Sequence, residues 1–200
     1  MLLQVSLPDI FCQSLLGRFQ DMYPKTKFDV QIAQSSDVIS LASSLGIHFG
    51  FVRNDFDWRE DERVLLTTNH VCAVAAQPFK LEDLPHMVRV DYDTDQYYQN
   101  LLDGWWHETF EDSPIIGTRV SNLDLCKEMV FNGLGYGILP SILIEEYPQL
   151  YSIPLVHKNG SKLERKTWLI YKKELLDLRL PKVFLEFVID SDFDSFQRNH

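Results

Sequence analysis

No stretch of this 200-residue chain approaches the ~20 uncharged apolar residues that a membrane-spanning helix requires. The opening residues, Met1-Leu2-Leu3-Gln4-Val5-Ser6, lack the basic start and apolar run of a secretory signal and read instead as a strand. The expected compartment is therefore the cytoplasm. Basic residues are also scarce, 19 against 29 acidic ones, for a formal net charge of -10. Nucleic-acid binding by the chain alone would call for a clustered excess of Lys and Arg. The densest cluster, Lys162, Arg165, Lys166, Lys172 and Lys173, is short, so the chain reads as a poor DNA binder whose acidity serves solubility.

Cysteine is sparse as well. Cys12, Cys72 and Cys126 stand far apart in apolar or helical settings, an odd set that makes a weak disulfide framework and matches no metal-ligand spacing. They are expected as small core or half-buried residues. His48, His70, His86, His107, His157 and His200 form no His-x-x-x-His pair. Gly-x-Ser-x-Gly, a phosphate loop and a dinucleotide fingerprint are all missing. Catalysis by Cys126 or His107 would need a partner that the sequence does not supply. The expectation is a protein that is not an enzyme and carries no cofactor or metal.

What is present is regular alternation. Leu2 to Ser6 reads as a strand, and Pro8-Asp9 opens a helix, since Pro suits the first turn and Asp its positive end. Phe11, Leu15, Phe19 and Met22 fall on one face of that helix, and Tyr23-Pro24 stops it. Phe28 to Ile32 alternates as a half-buried strand. Ser35-Ser36-Asp37 offers cap chemistry before the stripe Val38, Leu41, Ala42, Leu45, Gly46 ends that helix, and Ile47 to Val52 is the next strand. Strand-helix-strand-helix-strand is the grammar of a parallel sheet covered by helices.

After a polar stretch from Arg53 to Arg63, Val64-Thr68 and His70-Ala76 read as two strands separated by Asn69. Leu81 to Pro85 is a single helical turn. A second alternating unit begins with Met87 to Val90, a helix from about Thr94 to Phe110, and a strand from Ile115 to Val120. Ser121-Asn122 caps a helix carrying Leu125, Met129 and Val130; Gly133 and Gly135 close it; Tyr136 to Leu139 is a strand; and Pro140 starts another helix. Lys166 to Tyr171 is a late strand, and Pro181 begins a last helix with Phe184, Phe187 and Val188 on one face. The fold class is α/β, two Rossmann-like lobes between which the chain crosses near Cys72 and returns near Thr167. Lobe one is then 1–71 plus 168–200, and lobe two is 72–167. Ligand sites in such chains favour the cleft between lobes.

Ser6-x-Pro8 followed by Leu15-Leu16-Gly17-Arg18-Phe19-x-x-x-Tyr23-Pro24 resembles the opening of the effector-binding (regulatory) domains of LysR-type transcriptional regulators. Gln34-Ser35-Ser36, Gly50-Phe51-Val52-Arg53, Leu81-Glu82-Asp83-Leu84 and Pro181 to Val188 match further segments of that family in order. The strongest match is Asn132-Gly133-Leu134-Gly135-Tyr136-Gly137-Ile138-Leu139-Pro140. The chain departs from the pattern at His48-Phe49-Gly50, where an acidic residue is usual, and in the bulk of Tyr97 to Phe110. Trp105-Trp106, the Asn132-Gly-Leu-Gly-Tyr run and Arg165-Lys166-Thr167-Trp168 are similar to the citrate-responsive catabolite regulators of Gram-positive bacteria. The resemblance implies a periplasmic-binding-protein-like (type 2) fold. It also implies a small-molecule effector bound between the lobes, a carboxylate such as citrate, and a winged helix-turn-helix DNA-binding domain that this chain does not contain.

Effectors of such sheets sit at the carboxyl ends of strands beside helix N-termini, where free N–H groups and the helix dipole favour anions. Ser6 and Pro8, Ser35 and Ser36, Asp93 and Thr94, and Ser121 occupy such positions. Each also reads as an ordinary cap, worth about 1 kcal/mol. Arg53, at a strand terminus, is placed to grip a carboxylate with two parallel hydrogen bonds, or to pair on the surface with Asp55, Asp57 or Glu60. Arg165 either completes an anion clamp or is a solvated loop residue. Asp93 would oppose a carboxylate, which calls for hydroxyl or amino donors on the ligand. Adjacent Trp105 and Trp106 divide between core and an interface.

The resemblance further implies an antiparallel homodimer packing the helix from Asp9 to Met22 on the helix from Asn122 to Asn132. A free solute-binding protein of the same fold is the alternative; the missing signal sequence argues against it.

Overall fold

The computed structural model describes residues 2–7, 13–44, 46–56, 58, 62–145, 147–191 and 193. In chain order the elements are β1 (Leu2–Leu7), α1 (Gln13–Met22), β2 (Lys27–Ile32), α2 (Ser35–Ser43), β3 (Phe49–Arg53) and β4 (Glu62–Ala75). There follow β5 (Val88–Tyr92), α3 (Gln96–Thr109), β6 (Ile115–Val120), α4 (Leu123–Phe131), β7 (Tyr136–Pro140), β8 (Tyr151–Pro154), β9 (Glu164–Tyr171) and α5 (Arg179–Asp190). Short 3-10 turns occupy Leu81–His86, Ser141–Leu143 and Lys173–Asp177. The chain forms two compact units: Met1–Thr68 with Lys166–His200, and Asn69–Arg165. Cys72 thus lies in unit 2 and Thr167 in unit 1, and β4 and β9 are the strands that run from one unit into the other.

In unit 1, β1 lies between β2 and β3 and runs parallel to both, while β9 runs antiparallel to β3. Residues Phe49 to Arg53 are all buried, as expected of a strand covered on both faces. Phe19 of α1 and Phe184 of α5 meet edge to face at 5.0 Å, and Phe49 packs on Phe184 at the same distance. Such ring pairs add about 0.5–1.5 kcal/mol beyond their buried area. Val5, Leu15, Leu169 and Val188 complete this core.

Two expectations change here. The strand at Phe28 to Ile32 is not half-buried by alternation: Val30 and Ile32 are exposed, because among the described residues β2 pairs only with β1, at the end of the sheet. Met22 is also exposed, although Leu15 and Phe19 are fully buried. Pro8, Asp9, Phe11 and Cys12 lie outside the described residues, as does Leu45 of the α2 stripe.

In unit 2, β5 lies between β6 and β7, parallel to both, and the second half of β4 runs antiparallel between β7 and β8. Asn69 does not separate two strands, since β4 continues through it for 14 residues. Pro140 ends β7 and leads only into a 3-10 turn. Along α3, Tyr98, Leu102 and Trp105 recur at i, i+4 and i+7 and are buried. Trp106 is buried too, so neither tryptophan is left for an interface. Each indole N–H has its own carbonyl inside the unit: Trp105 donates to Val156 at 2.9 Å and Trp106 to Asp112 at 2.8 Å.

The turn from α4 into β7 explains the glycine-rich run. Gly133, at φ 78°, follows the C-cap Asn132. Its N–H bonds the carbonyl of Val130, and the N–H of Leu134 bonds that of Met129. This is the left-handed helix stop that glycine best tolerates. A Cβ on Gly135 would fall 2.3 Å from the carbonyl oxygen of Val88, so only glycine lets β7 close on β5.

Candidate functional site

The carboxyl ends of the parallel strands hold most of the residues singled out by sequence, in two separate groups. In unit 1, Ser6 stands next to last in β1, in register with Gly50 of β3 and Gln31 of β2. Pro8 lies outside the described residues. Arg53 is the final residue of β3, directly opposite Thr167 of β9. Its Nη1 donates to Thr167 Oγ1 at 2.7 Å, and its backbone N–H donates to Ser35 Oγ at 3.1 Å. Ser35 is therefore not a helix cap: Gln34 occupies that place, and the Ser35 hydroxyl turns to the end of β3. Ser36 is exposed, and its carbonyl accepts from Ser40 Oγ at 3.1 Å.

Arg53 is only 3% exposed. Asp55 pairs instead with Lys166 Nζ at 2.8 Å, while Asp57 and Glu60 lie outside the described residues. Asn54 follows with φ 64°, a left-handed conformation that Asn tolerates better than most residues. It is buried, and neither its amide nitrogen nor its amide oxygen has a hydrogen-bond partner. Backbone departures of this kind concentrate at functional sites.

In unit 2, the N–H of Asp93 bonds the carbonyl of Val120, which sets Asp93 beside Ser121 at the ends of β5 and β6. Neither residue caps a helix. Asp95 caps α3, its Oδ1 accepting the N–H of Tyr98 at 2.9 Å, and α3 starts at Gln96 rather than at Thr94. Asn122 caps α4, accepting the N–H of Leu125 at 2.9 Å. Asp93 and Ser121 are exposed and Thr94 is half-buried. Arg165 is not a loop residue. It is the second residue of β9, half-buried, with its guanidinium carbon 5.1 Å from the centre of the Tyr98 ring.

Several polar residues of these ends were not anticipated. Thr167 is the hydroxyl partner of Arg53, and Tyr92 and Tyr98 lie buried beside Arg165. Burial pushes both phenols above their usual range, and the neighbouring Arg165 partly offsets this. Asp91 accepts from Arg89 Nη2 and from Arg119 Nη2, each at 2.9 Å, with Arg89 and Asp91 both buried. The sequence signal was Arg89-x-Asp91, whose two-residue spacing puts both side chains on one face of a strand.

Among the described residues no cluster of His, Cys, Asp and Glu is suited to hold a metal ion. Cys72 and Cys126 are buried free thiols, pushed up by burial to about 11 and about 12. A surface depression of about 410 Å³, lined by Met22, Tyr23, Pro24, Lys25, Thr26 and Leu180, contains none of the candidate residues.

Residues 2–192 match the family profile described as the LysR substrate binding domain. YraN of Bacillus subtilis (strain 168), described as an uncharacterized HTH-type transcriptional regulator, is 34% identical over 174 residues, 87% of this chain. The chain spans 60% of the length of YraN. The C-terminal domain of a probable LysR family transcriptional regulator from Rhodococcus sp. RHA1 superimposes with a TM-score of 0.74 at 18% identity, covering 94% of this chain and 98% of that one. The effector binding domain of a BenM variant gives a TM-score of 0.74 at 12% identity, covering 94% and 92%. The fold is the periplasmic-binding-protein-like type 2 fold, a mixed α/β architecture.

Proposed function

Because the chain belongs to the LysR substrate binding domain family, we propose that the effector it senses is a small carboxylic acid gripped by Arg53. The supporting observation is the burial of Arg53 at the carboxyl end of β3, with its guanidinium bonded to Thr167 Oγ1 and its backbone N–H to Ser35 Oγ. A planar guanidinium suits a carboxylate because it donates two parallel hydrogen bonds. Ser6, Ser36, Asp93, Thr94, Ser121 and Arg165 are the further residues proposed to contact the effector, with Asp93 receiving a hydroxyl or amino group on it.

The reading extends to the full-length protein. Effector binding biases one arrangement of the domain over another, since a ligand shifts an equilibrium only by its differential affinity. That bias alters DNA binding by an N-terminal domain outside this chain. The names of the curated relatives, HTH-type transcriptional regulators, support a regulator rather than an enzyme. A homodimer with α1 packed on α4 is supported by apolar side chains left exposed on those helices: Met22 in unit 1, and Leu125 and Phe131 in unit 2. Light scattering is expected to give twice the chain mass at tens of micromolar, and a monomer there contradicts the dimer.

A thermal-shift screen over small acids, citrate first, tests the ligand class. At 100 times its dissociation constant a true effector stabilises the domain by ~2.7 kcal/mol. A shift that persists in Arg53→Ala contradicts the assignment of Arg53.

A further inference from the structure

The carboxylate reading above centres on unit 1, but unit 2 holds a separate group of buried donors. Tyr98 stands in the first turn of α3, fixed by its N–H bond to Asp95, and is 0% exposed. Tyr92, the last residue of β5, is 6% exposed. Their hydroxyls are neighbours, yet neither completes a hydrogen bond of ordinary geometry. Even a good bond between them would use one phenolic hydrogen and leave the other without an acceptor. Arg165 lies over the Tyr98 ring, its Nε is buried without a partner, and it forms no salt bridge with any described residue.

Among the described residues, the two hydroxyls and the Arg165 Nε are short of the same thing, an acceptor oxygen. A guanidinium carries five donors and no acceptor. The surrounding groups do not supply one: the Asp95 carboxylate is turned to the N–H of Tyr98, and Cys126 directs its thiol to the Val90 carbonyl at 3.4 Å. Burial also keeps both phenols protonated, and so able to donate, well past neutral pH. The Tyr98 ring face, 5.1 Å from the guanidinium carbon, attracts the cation without consuming its hydrogens.

We propose that Arg165, Tyr98 and Tyr92 form an oxyanion subsite within unit 2 that takes a carboxylate group of the effector. The subsite rests on the reading that the effector is a carboxylic acid, but not on Arg53. The phenols set specificity: a ligand group without an acceptor oxygen leaves two interior hydroxyls unanswered, while a carboxylate answers both along with the cation.

The test is calorimetric titration of the whole 200-residue chain with citrate, succinate and the neutral diamide of succinate. The variants are Tyr98→Phe, Tyr92→Phe and Arg165→Gln, with Arg53→Gln alongside. Each Tyr→Phe change is expected to weaken acid binding about tenfold, one hydrogen bond to a charged group. Melting temperature without acid should stay unchanged or rise, because the hydroxyl removed has no partner. Arg165→Gln should weaken binding further, and the diamide, which keeps carbonyl acceptors but loses the charge and turns N–H donors toward the guanidinium, should bind more weakly than the acids. If both phenylalanine variants bind acid as wild type does while Arg53→Gln does not, the subsite is wrong and the carboxylate reading stands. A wild-type chain that binds neither acid overturns both.

Discussion

Arg53 and Thr167 face each other across the β3–β9 pair, and the guanidinium of one donates to the hydroxyl of the other at 2.7 Å. The register fixes this contact: Phe49 opposes Tyr171, and counting along both strands brings position 53 to position 167. Replacing Thr167 by Val keeps the shape and removes the acceptor. The buried charge then loses a hydrogen bond, at a cost of about 1.5–3 kcal/mol. Urea denaturation of Thr167→Val should show that loss as a lower midpoint with an unchanged slope. Wild-type stability would mean that the hydroxyl does not support Arg53.

Asp91 is held from two sides, by buried Arg89 and by exposed Arg119. The two contacts are unequal in weight. Arg119 can turn to water, but Arg89 cannot. Asp91→Ala is therefore expected to cost about 3–5 kcal/mol, the usual penalty for stranding a buried charge. Arg119→Ala should cost less than about 1 kcal/mol, as for other solvent-facing pairs. Equal losses in the two variants, measured by chemical denaturation, would show that burial does not decide the matter.

The alternation of strands and helices was legible because apolar spacing marks it directly, and β6, from Ile115 to Val120, has the boundaries read from sequence. Edges were not legible. Val30 and Ile32 carry the pattern of an inward face, and only the sheet order shows that β2 has no second neighbour among the described residues. The break expected at Asn69 failed because a residue with turn propensity was carried through by strand pairing on either side. Arg53 was singled out from its position at a strand end. Thr167, Tyr92 and Tyr98 were not, since their proximity to the arginines depends on cross-strand register and on a helix start two residues later than expected. The cap of α3 was misplaced by two residues for the same reason, Asp95 doing the work expected of Asp93, while Asn122 of the Ser121-Asn122 pair caps α4 as read.

Burial of Cys126 makes an alkaline prediction. Its thiol is raised from 9.0 to about 12, chiefly because burial disfavours the thiolate. A folded value above the unfolded one gives stability that is full below pH 9.0 and is lost as pH rises towards about 12. In that window the unfolded chain sheds a proton that the folded chain keeps. Cys126→Ala should be destabilised somewhat at every pH by the lost volume, but its stability should fall less steeply above pH 9.0. Parallel curves for the two proteins would remove Cys126 from the account.

The central claim is that Arg53 binds the acid group of an effector, and calorimetric titration of the domain with citrate and succinate, in wild type and in Arg53→Lys, tests it most directly. Lysine keeps the positive charge but not the two-pronged donor geometry. Saturable binding to wild type that weakens at least about tenfold in Arg53→Lys is the predicted result, one lost charge-assisted hydrogen bond. Equal affinity in the two proteins would contradict it.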